Sequence, residues 1–340
     1  VRRPDSDVGN GRVQGVGHPA AAAQGLICRD QSNLGPLARF NGERVAGPDW
    51  FESAIAVPSE SHRVSAAGAD IHYLRWGDRS KPGLLLVHGN GAHAYWWSFI
   101  APFMAREYNV AALDLSGMGD SSHRPQYEMD AFVQELLAVA DHAGMFANEE
   151  PPVIVAHSFG GFATILAGAR HGERLAGTVI VDSPVNPPDR PGGPPHRESR
   201  PHRVYPTLTE ALSRFRLAPE QPCENDYIVD FIARKSLKQV DGGLTWKFDP
   251  SLWSSRFSIG DTAECLRTTR CRIAIMRGEN SVLMPPEVGA YMFSLLGHAA
   301  PVIEIPQARH HVMLDQPLAF VAALRALLAD WNHSLPTRRV

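Results

Sequence analysis

The stretch Pro152-Val153-Ile154-Val155-Ala156-His157-Ser158-Phe159-Gly160-Gly161 constrains the chain more than any other. Its apolar run suits a buried strand, and it breaks into a serine flanked by small residues. A serine held on a sharp strand-to-helix turn needs neighbours without bulk two residues before and two after, because side chains there would collide as the backbone doubles back. Ala156 and Gly160 meet that need. Ala156 departs from the glycine usual in such a turn, but its methyl is the smallest side chain available. The small and apolar residues of Gly161-Phe162-Ala163-Thr164-Ile165-Leu166-Ala167-Gly168-Ala169 suit a helix packed tightly on a sheet. The stretch therefore reads as a nucleophile elbow, with Ser158 at a helix N-terminus where backbone N–H groups favour negative charge.

Other apolar runs repeat the pattern around it. Two strands joined by a tight turn are predicted at His62–Gly68 and Ala69–Gly77. Gly83–Val87, Asn109–Leu115, Gly177–Pro184, Cys271–Gly278 and Ala300–Pro306 read as further strands. Helices are expected at Ala94–Ile100, from Met129 to about Met145, from Pro285 to about Leu296, and from Leu318 to Trp331. Strands alternating with helices imply an α/β fold with a mostly parallel central sheet, flanked by helices and joined by right-handed crossovers. The alternation stops between Val185 and Gly260. There, after a proline-rich start, Thr207 and Glu210 have capping-box spacing, and a second helix is expected from Asp226 to Leu237. His196, Arg197, Arg200, His202 and Arg203 make the start of this insertion basic, as a solvated surface would be.

The resulting organisation is an irregular or mobile N-terminal arm over residues 1–47, a core made of 48–185 and 261–340, and a helical cap over 186–260 inserted between sheet strands. Lys plus Arg number 33 against 36 Asp plus Glu, so no basic field for nucleic acid is present. No apolar run approaches the ~20 residues of a membrane span, and Val1-Arg2-Arg3 is not followed by the apolar core of a signal peptide. Cys28, Cys223, Cys265 and Cys271 form no CxxC pair, which favours a reduced, cytoplasmic setting and leaves a Cys265–Cys271 bridge open. The 15 histidines include no metal-ligand motif, so no metal and no organic cofactor is expected. Homo-oligomer formation is left open.

Taken in order, strand-Ser158-helix, strand-Asp182, insertion and strand-His310 resemble an α/β-hydrolase of the carboxylesterase and lipase type, with an inserted cap. The resemblance covers about residues 60–185 and 262–333. His88-Gly89-Asn90-Gly91 resembles the oxyanion loop, and Gln307-Ala308-Arg309-His310 followed by Leu314-Asp315-Gln316-Pro317 resembles the catalytic-histidine region. The family's chain order of Ser, Asp and His is also kept. The resemblance implies Ser158 as nucleophile, His310 as base with His311 as its neighbour, and the N–H groups of Asn90 and Phe159 as oxyanion donors. In most of the family the acid lies three residues past the glycine at 278, where this chain has Ser281. A serine cannot carry the charge that steadies an imidazolium, so Asp182, where a minority of the family places its acid, takes the role, with Glu279 as the alternative. Tyr95, Trp96, Trp97, His157 and Met284 are expected to wall an apolar pocket. The implied function is hydrolysis of small or medium acyl esters through an acyl-enzyme. A carbon–carbon bond hydrolase or a peracid-forming enzyme would share the triad, and a non-catalytic receptor would share only the fold. Epoxide hydrolase relatives carry aspartate where this chain has Ser158.

Overall fold

Ala67 and Gly68 both adopt positive φ, and the two-residue turn they make pairs Ala66 with Ala69 across an antiparallel hairpin. The hairpin opens the sheet of a computed structural model that describes residues 34–190, 201–253 and 259–334. Its strands are β1 (Glu60–Ala66) and β2 (Ala69–Trp76). The sheet continues through β3 (Gly83–Val87), β4 (Asn109–Leu113), β5 (Val153–His157) and β6 (Gly177–Val181). A separate pair, β7 (Leu237–Val240) and β8 (Gly243–Trp246), precedes β9 (Arg272–Gly278) and β10 (Val302–Ile305). The eight-stranded order is β1-β2-β4-β3-β5-β6-β9-β10. Every pairing from β4 to β10 is parallel, whereas β2 runs antiparallel to both its neighbours.

The helices are α1 (Asp49–Ile55), α2 (Ala101–Met104), α3 (Met129–His142), α4 (Phe159–His171), α5 (Leu208–Leu212), α6 (Asp226–Lys235), α7 (Thr262–Arg267), α8 (Pro286–Leu295), α9 (Val312–Asp315) and α10 (Pro317–His333). β3, β4, β5 and β6 are buried at every residue, as strands covered by helices on both faces must be. One apolar cluster joins Trp97, Phe99 and Ile100 to Phe320, Leu324 and Leu328. Another gathers Phe132, Leu136 and Val139 of α3 beneath Leu85, Val87 and Ile154.

Three expectations change. Ala94–Ile100 forms a 3-10 turn over Ala94–Trp97 followed by the short α2, because Pro102 removes a backbone donor from any longer helix. The insertion is not wholly helical: α6 ends at Lys235, and β7 and β8 follow as a hairpin turned at Asp241-Gly242. Asp-Gly between short strands is a strong hairpin signal, which the helical pattern before it obscures. The arm expected to reach residue 47 is anchored from Gly35 onward, where a folded unit begins. Gly35 N–H donates to Ser213 O at 2.7 Å, Arg39 pairs with Asp226, and Arg234 Nη2 donates to Gly42 O at 2.8 Å. Residues 1–33 lie outside the described residues, as do His196, Arg197 and Arg200 of the basic stretch. His202 is described, and its Nε2 donates to Phe248 O at 2.7 Å. Cys265 and Cys271 are both free, so the bridge left open between them is not formed. No helix among the described residues is long and apolar enough to cross a membrane.

Candidate active site

Parallel strands end on the same edge of a sheet, and ligands bind outside those carboxyl ends. Here the register pairs His157 of β5 with Val181 of β6, and Val181 with Met276 of β9. Ser158 and Asp182 are thus the first residues past two adjacent strands, which run ~4.8 Å apart. Each is held by the neighbouring strand: Ser158 N–H donates to Val181 O at 2.9 Å, and Asp182 N–H to Met276 O at 2.8 Å. Both have positive φ, 52° for Ser158 and 47° for Asp182, a strained region for a side chain with a Cβ. Ser158 caps α4. The turn is as crowded as the sequence implies, since a Cβ on Gly160 would lie 2.6 Å from His88 O, and one on Gly89 would lie 3.0 Å from Ser158 Cβ. The His88–Gly91 loop therefore runs against the serine itself.

His310 lies past the end of β10 and completes the constellation. Its Nε2 is 3.0 Å from Ser158 Oγ, and its Nδ1 is 2.8 Å from Asp182 Oδ1. Asp182 is fully buried and accepts two more hydrogen bonds, from Gly278 N–H to Oδ2 at 2.8 Å and from Ser281 Oγ to Oδ1 at 2.6 Å. Ser281, where the resemblance would have put the acid, thus donates to the Asp182 carboxylate instead, a partnership the spacing from Gly278 does not reveal. Glu279 is exposed, and its carboxylate accepts from Gln307 N–H at 2.7 Å. Glu279, the alternative acid, thus braces the loop at Gln307.

The His88–Gly91 loop is braced from behind. His88 Nδ1–H donates to Gly89 O at 2.7 Å, while its Nε2 accepts from Leu115 N–H at 3.1 Å, which fixes one neutral tautomer. Asp114, fully buried at the end of β4, accepts from Ala94 N–H at 2.6 Å, Asp120 N–H at 2.8 Å and His72 Nδ1 at 2.7 Å. Burial raises its pKa, but the His72 hydrogen bond and the neighbouring histidines outweigh burial and bring it to about 2. One carboxylate thereby ties the loops after β3 and β4 together. Sequence reasoning missed Asp114; its only signal was an acid directly after a buried strand.

The expected pocket residues divide. Trp96 stacks 6.5 Å from the His157 ring and meets the His311 ring edge-on at 5.4 Å, beside the serine and histidine. Tyr95 is half-buried beneath the cap, with Lys235 Nζ 4.6 Å from its ring centre. Trp97 is fully buried and packs on Phe320, and Met284 is fully buried among Ile165, Ile180 and Val288, so both contribute to the apolar core. His157 Nε2–H donates to His310 O at 2.9 Å, and His311 Nε2–H to Pro219 O at 3.1 Å. The cap also reaches this region through Gln221, which accepts from His311 N–H at 3.1 Å, and through Ser236, 2.8 Å from His93 Nε2.

Burial keeps four of these histidines neutral. It pushes His93 and His311 down to about 3, lowers His88, and holds His157 well below the usual range. Below about pH 6.5 the unfolded chain protonates them and the folded protein does not, so stability present at neutral pH is lost on acidification. His93, His311, His88 and His157 all act in the same direction, removing stability as the pH falls from roughly pH 6 toward pH 4. Against a total stability of ~5–15 kcal/mol, the melting temperature is expected to fall steeply below pH 6. Calorimetry from pH 8 to pH 4 checks this; an unchanged melting temperature across that range would contradict it.

A family model for the alpha/beta hydrolase family matches residues 84–324. The chain belongs to that family. Among curated proteins it is similar to Epoxide hydrolase 4 of Homo sapiens, 29% identical over 125 residues that cover 36% of this chain and 33% of the relative. It is 34% identical to N-formylmaleamate deformylase of Pseudomonas putida over 129 residues, covering 37% and 46%, and 33% identical to Lipase LipV of Mycobacterium tuberculosis over 116 residues, covering 34% and 42%. The chain thus spans under half the length of these relatives. Among solved structures, E-2-(acetamidomethylene)succinate hydrolase superposes with a TM-score of 0.67 at 18% identity, covering 80% of this chain and 100% of that one. A thioesterase domain from the curacin biosynthetic pathway superposes with a TM-score of 0.65 at 21% identity, covering 80% and 99%. At those identities the likeness is one of fold.

Proposed function

We propose that this chain is a serine-dependent carboxylic ester hydrolase acting on small or medium acyl esters. The observation that carries the reading is the continuous relay from Ser158 Oγ through His310 to Asp182, at 3.0 Å and 2.8 Å. His310 Nε2 takes the proton of Ser158 as Oγ attacks the ester carbonyl, and Asp182 holds the imidazole in the tautomer that can accept it. The backbone N–H groups of Asn90 and Phe159 receive the developing oxyanion, each worth ~3 kcal/mol in a water-poor site. His310 then returns the proton to the leaving alcohol, and water, activated by the same histidine, releases the acid. Every bond made or broken is served by a side chain or a backbone donor of this chain. Ser158, standing where epoxide hydrolases carry aspartate, favours acyl transfer over epoxide opening despite the sequence likeness to those relatives. The likeness to N-formylmaleamate deformylase supports a second reading, in which the same acyl-enzyme forms with an amide leaving group. Free Cys223, Cys265 and Cys271 fit a reducing, cytoplasmic setting.

The test is a series of p-nitrophenyl esters of increasing acyl length, run with a chelator present and beside labelling by a fluorophosphonate. Hydrolysis of the short and medium acyl esters is expected, with the label found on Ser158 by mass spectrometry. Labelling without ester turnover would favour the amide reading, and neither labelling nor turnover would overturn both.

A further inference from the structure

Three imidazoles crowd together behind the nucleophile. The ring centres of His157, His310 and His311 are 4.8, 4.9 and 5.7 Å apart, and all three side chains are at least 98% buried. One ring nitrogen of each lies within 4.8 Å of those of the other two. Three imidazoles on one tetrahedral zinc, with Zn–N ~2.1 Å, hold their ring centres about 5 Å apart. The triangle matches that spacing.

The hydrogen bonds also leave an unprotonated nitrogen on each ring. His157 and His311 each spend Nε2–H on a backbone carbonyl, of His310 and Pro219, so each Nδ1 carries an unprotonated lone pair. Both Nδ1 atoms are buried with no hydrogen-bond partner among the described residues, which is costly for a polar atom and calls for an explanation. Donation of the second ring N–H to a backbone carbonyl is also how metal-ligating histidines are oriented. His157 Nδ1 faces the serine turn, since a Cβ on Gly89 would lie 3.0 Å from that atom and from Ser158 Cβ alike. The third lone pair is that of His310 Nε2, the one that otherwise accepts from Ser158 Oγ.

We propose that His157, His310 and His311 bind a divalent transition-metal ion of the zinc type, and that the bound ion, by occupying His310 Nε2, reversibly stops turnover. The inhibitory half rests on the hydrolase reading above; the binding half does not. Coordination draws His310 Nε2 from Ser158 Oγ, so the serine keeps its proton and no acyl-enzyme forms. Imidazole ligands select zinc, copper, nickel and cobalt over magnesium and calcium, which prefer oxygen.

Cobalt(II) is the probe, because its visible spectrum separates four-coordinate from six-coordinate sites. Titration of the whole chain with cobalt chloride is expected to give strong four-coordinate bands saturating at one equivalent, displaced by zinc and not by magnesium. Ester hydrolysis should fall in step with occupancy and return with a chelator. His157→Gln and His311→Gln should each weaken binding by more than the ~10–100-fold that loss of an outer partner of a metal ligand costs. Should a variant fail to fold, X-ray absorption at the cobalt edge of the unaltered chain counts the imidazole ligands, and three are expected. A six-coordinate spectrum, fewer than three imidazoles, or affinity unchanged in both variants would overturn the site; full occupancy with undiminished hydrolysis would overturn the role of His310. If no ester is turned over at all, the spectrum and ligand count still decide the metal site, separately from the hydrolase reading.

Discussion

Ser158→Ala is expected to lower kcat by about 10⁶-fold on any ester the protein hydrolyses, close to 8 kcal/mol of transition-state stabilisation. The loss is that large because nucleophile, base and acid act as one unit, and what remains comes from the oxyanion donors and from substrate binding. The alanine keeps the backbone of the turn, where Ser158 already bears a Cβ at φ 52°, so the melting temperature should change little. The comparison is kcat and a pre-steady-state burst for both proteins. The unaltered chain should release one equivalent of p-nitrophenol per chain in the burst, and the variant none. A variant retaining a hundredth of the activity or more would show that another group carries the reaction.

Asp182→Asn is expected to lower kcat by about 10⁴-fold. All three groups facing this carboxylate donate to it: His310 Nδ1–H, Ser281 Oγ–H and Gly278 N–H. An asparagine must turn its NH₂ toward one side. Facing His310, the NH₂ forces the proton onto Nε2, the nitrogen that has to accept from Ser158; facing Gly278, it sets two donors against each other in a buried site. The first arrangement destroys the base and the second costs stability. Glu279→Gln should leave turnover near its starting value, because that side chain is exposed and braces Gln307 N–H. A sharper test restores a carboxylate beside the lost one. Ser281 Oγ is 2.6 Å from Asp182 Oδ1, so Ser281→Asp added to Asp182→Asn is expected to recover part of the activity, whereas Ser281→Asp alone brings two carboxylates together and lowers it. Equal activity of the double variant and Asp182→Asn would argue that the charge cannot act from position 281.

The order of strands and helices was legible because burial on both faces writes continuous apolar runs, and because a serine turn without room for side chains writes Ala156 and Gly160 around Ser158. The cap was less legible. Its β7–β8 hairpin follows directly on the amphipathic pattern of α6, and Gly35–Gly47 carries no periodicity because it is fixed by backbone hydrogen bonds and the Arg39–Asp226 pair, which demand no repeating side-chain pattern. Aromatic type did not separate pocket from core either: Trp96 and Trp97 are neighbours in the chain, yet one stacks beside the candidate site and the other packs on Phe320.

The fold class and the three strand ends at which a nucleophile, an acid and a base could stand were readable in the chain itself, since these are local: each is a residue type directly after an apolar run, or shortly past it. Which acid faces His310, that Ser281 donates to it, and that His157 and His311 stand beside the same imidazole with Nδ1 atoms unpartnered among the described residues became visible only once the chain was folded. Those facts rest on contacts between residues 92 to 154 positions apart, set by strand register and loop closure across the sheet edge. Such distances leave no periodic trace in a single chain.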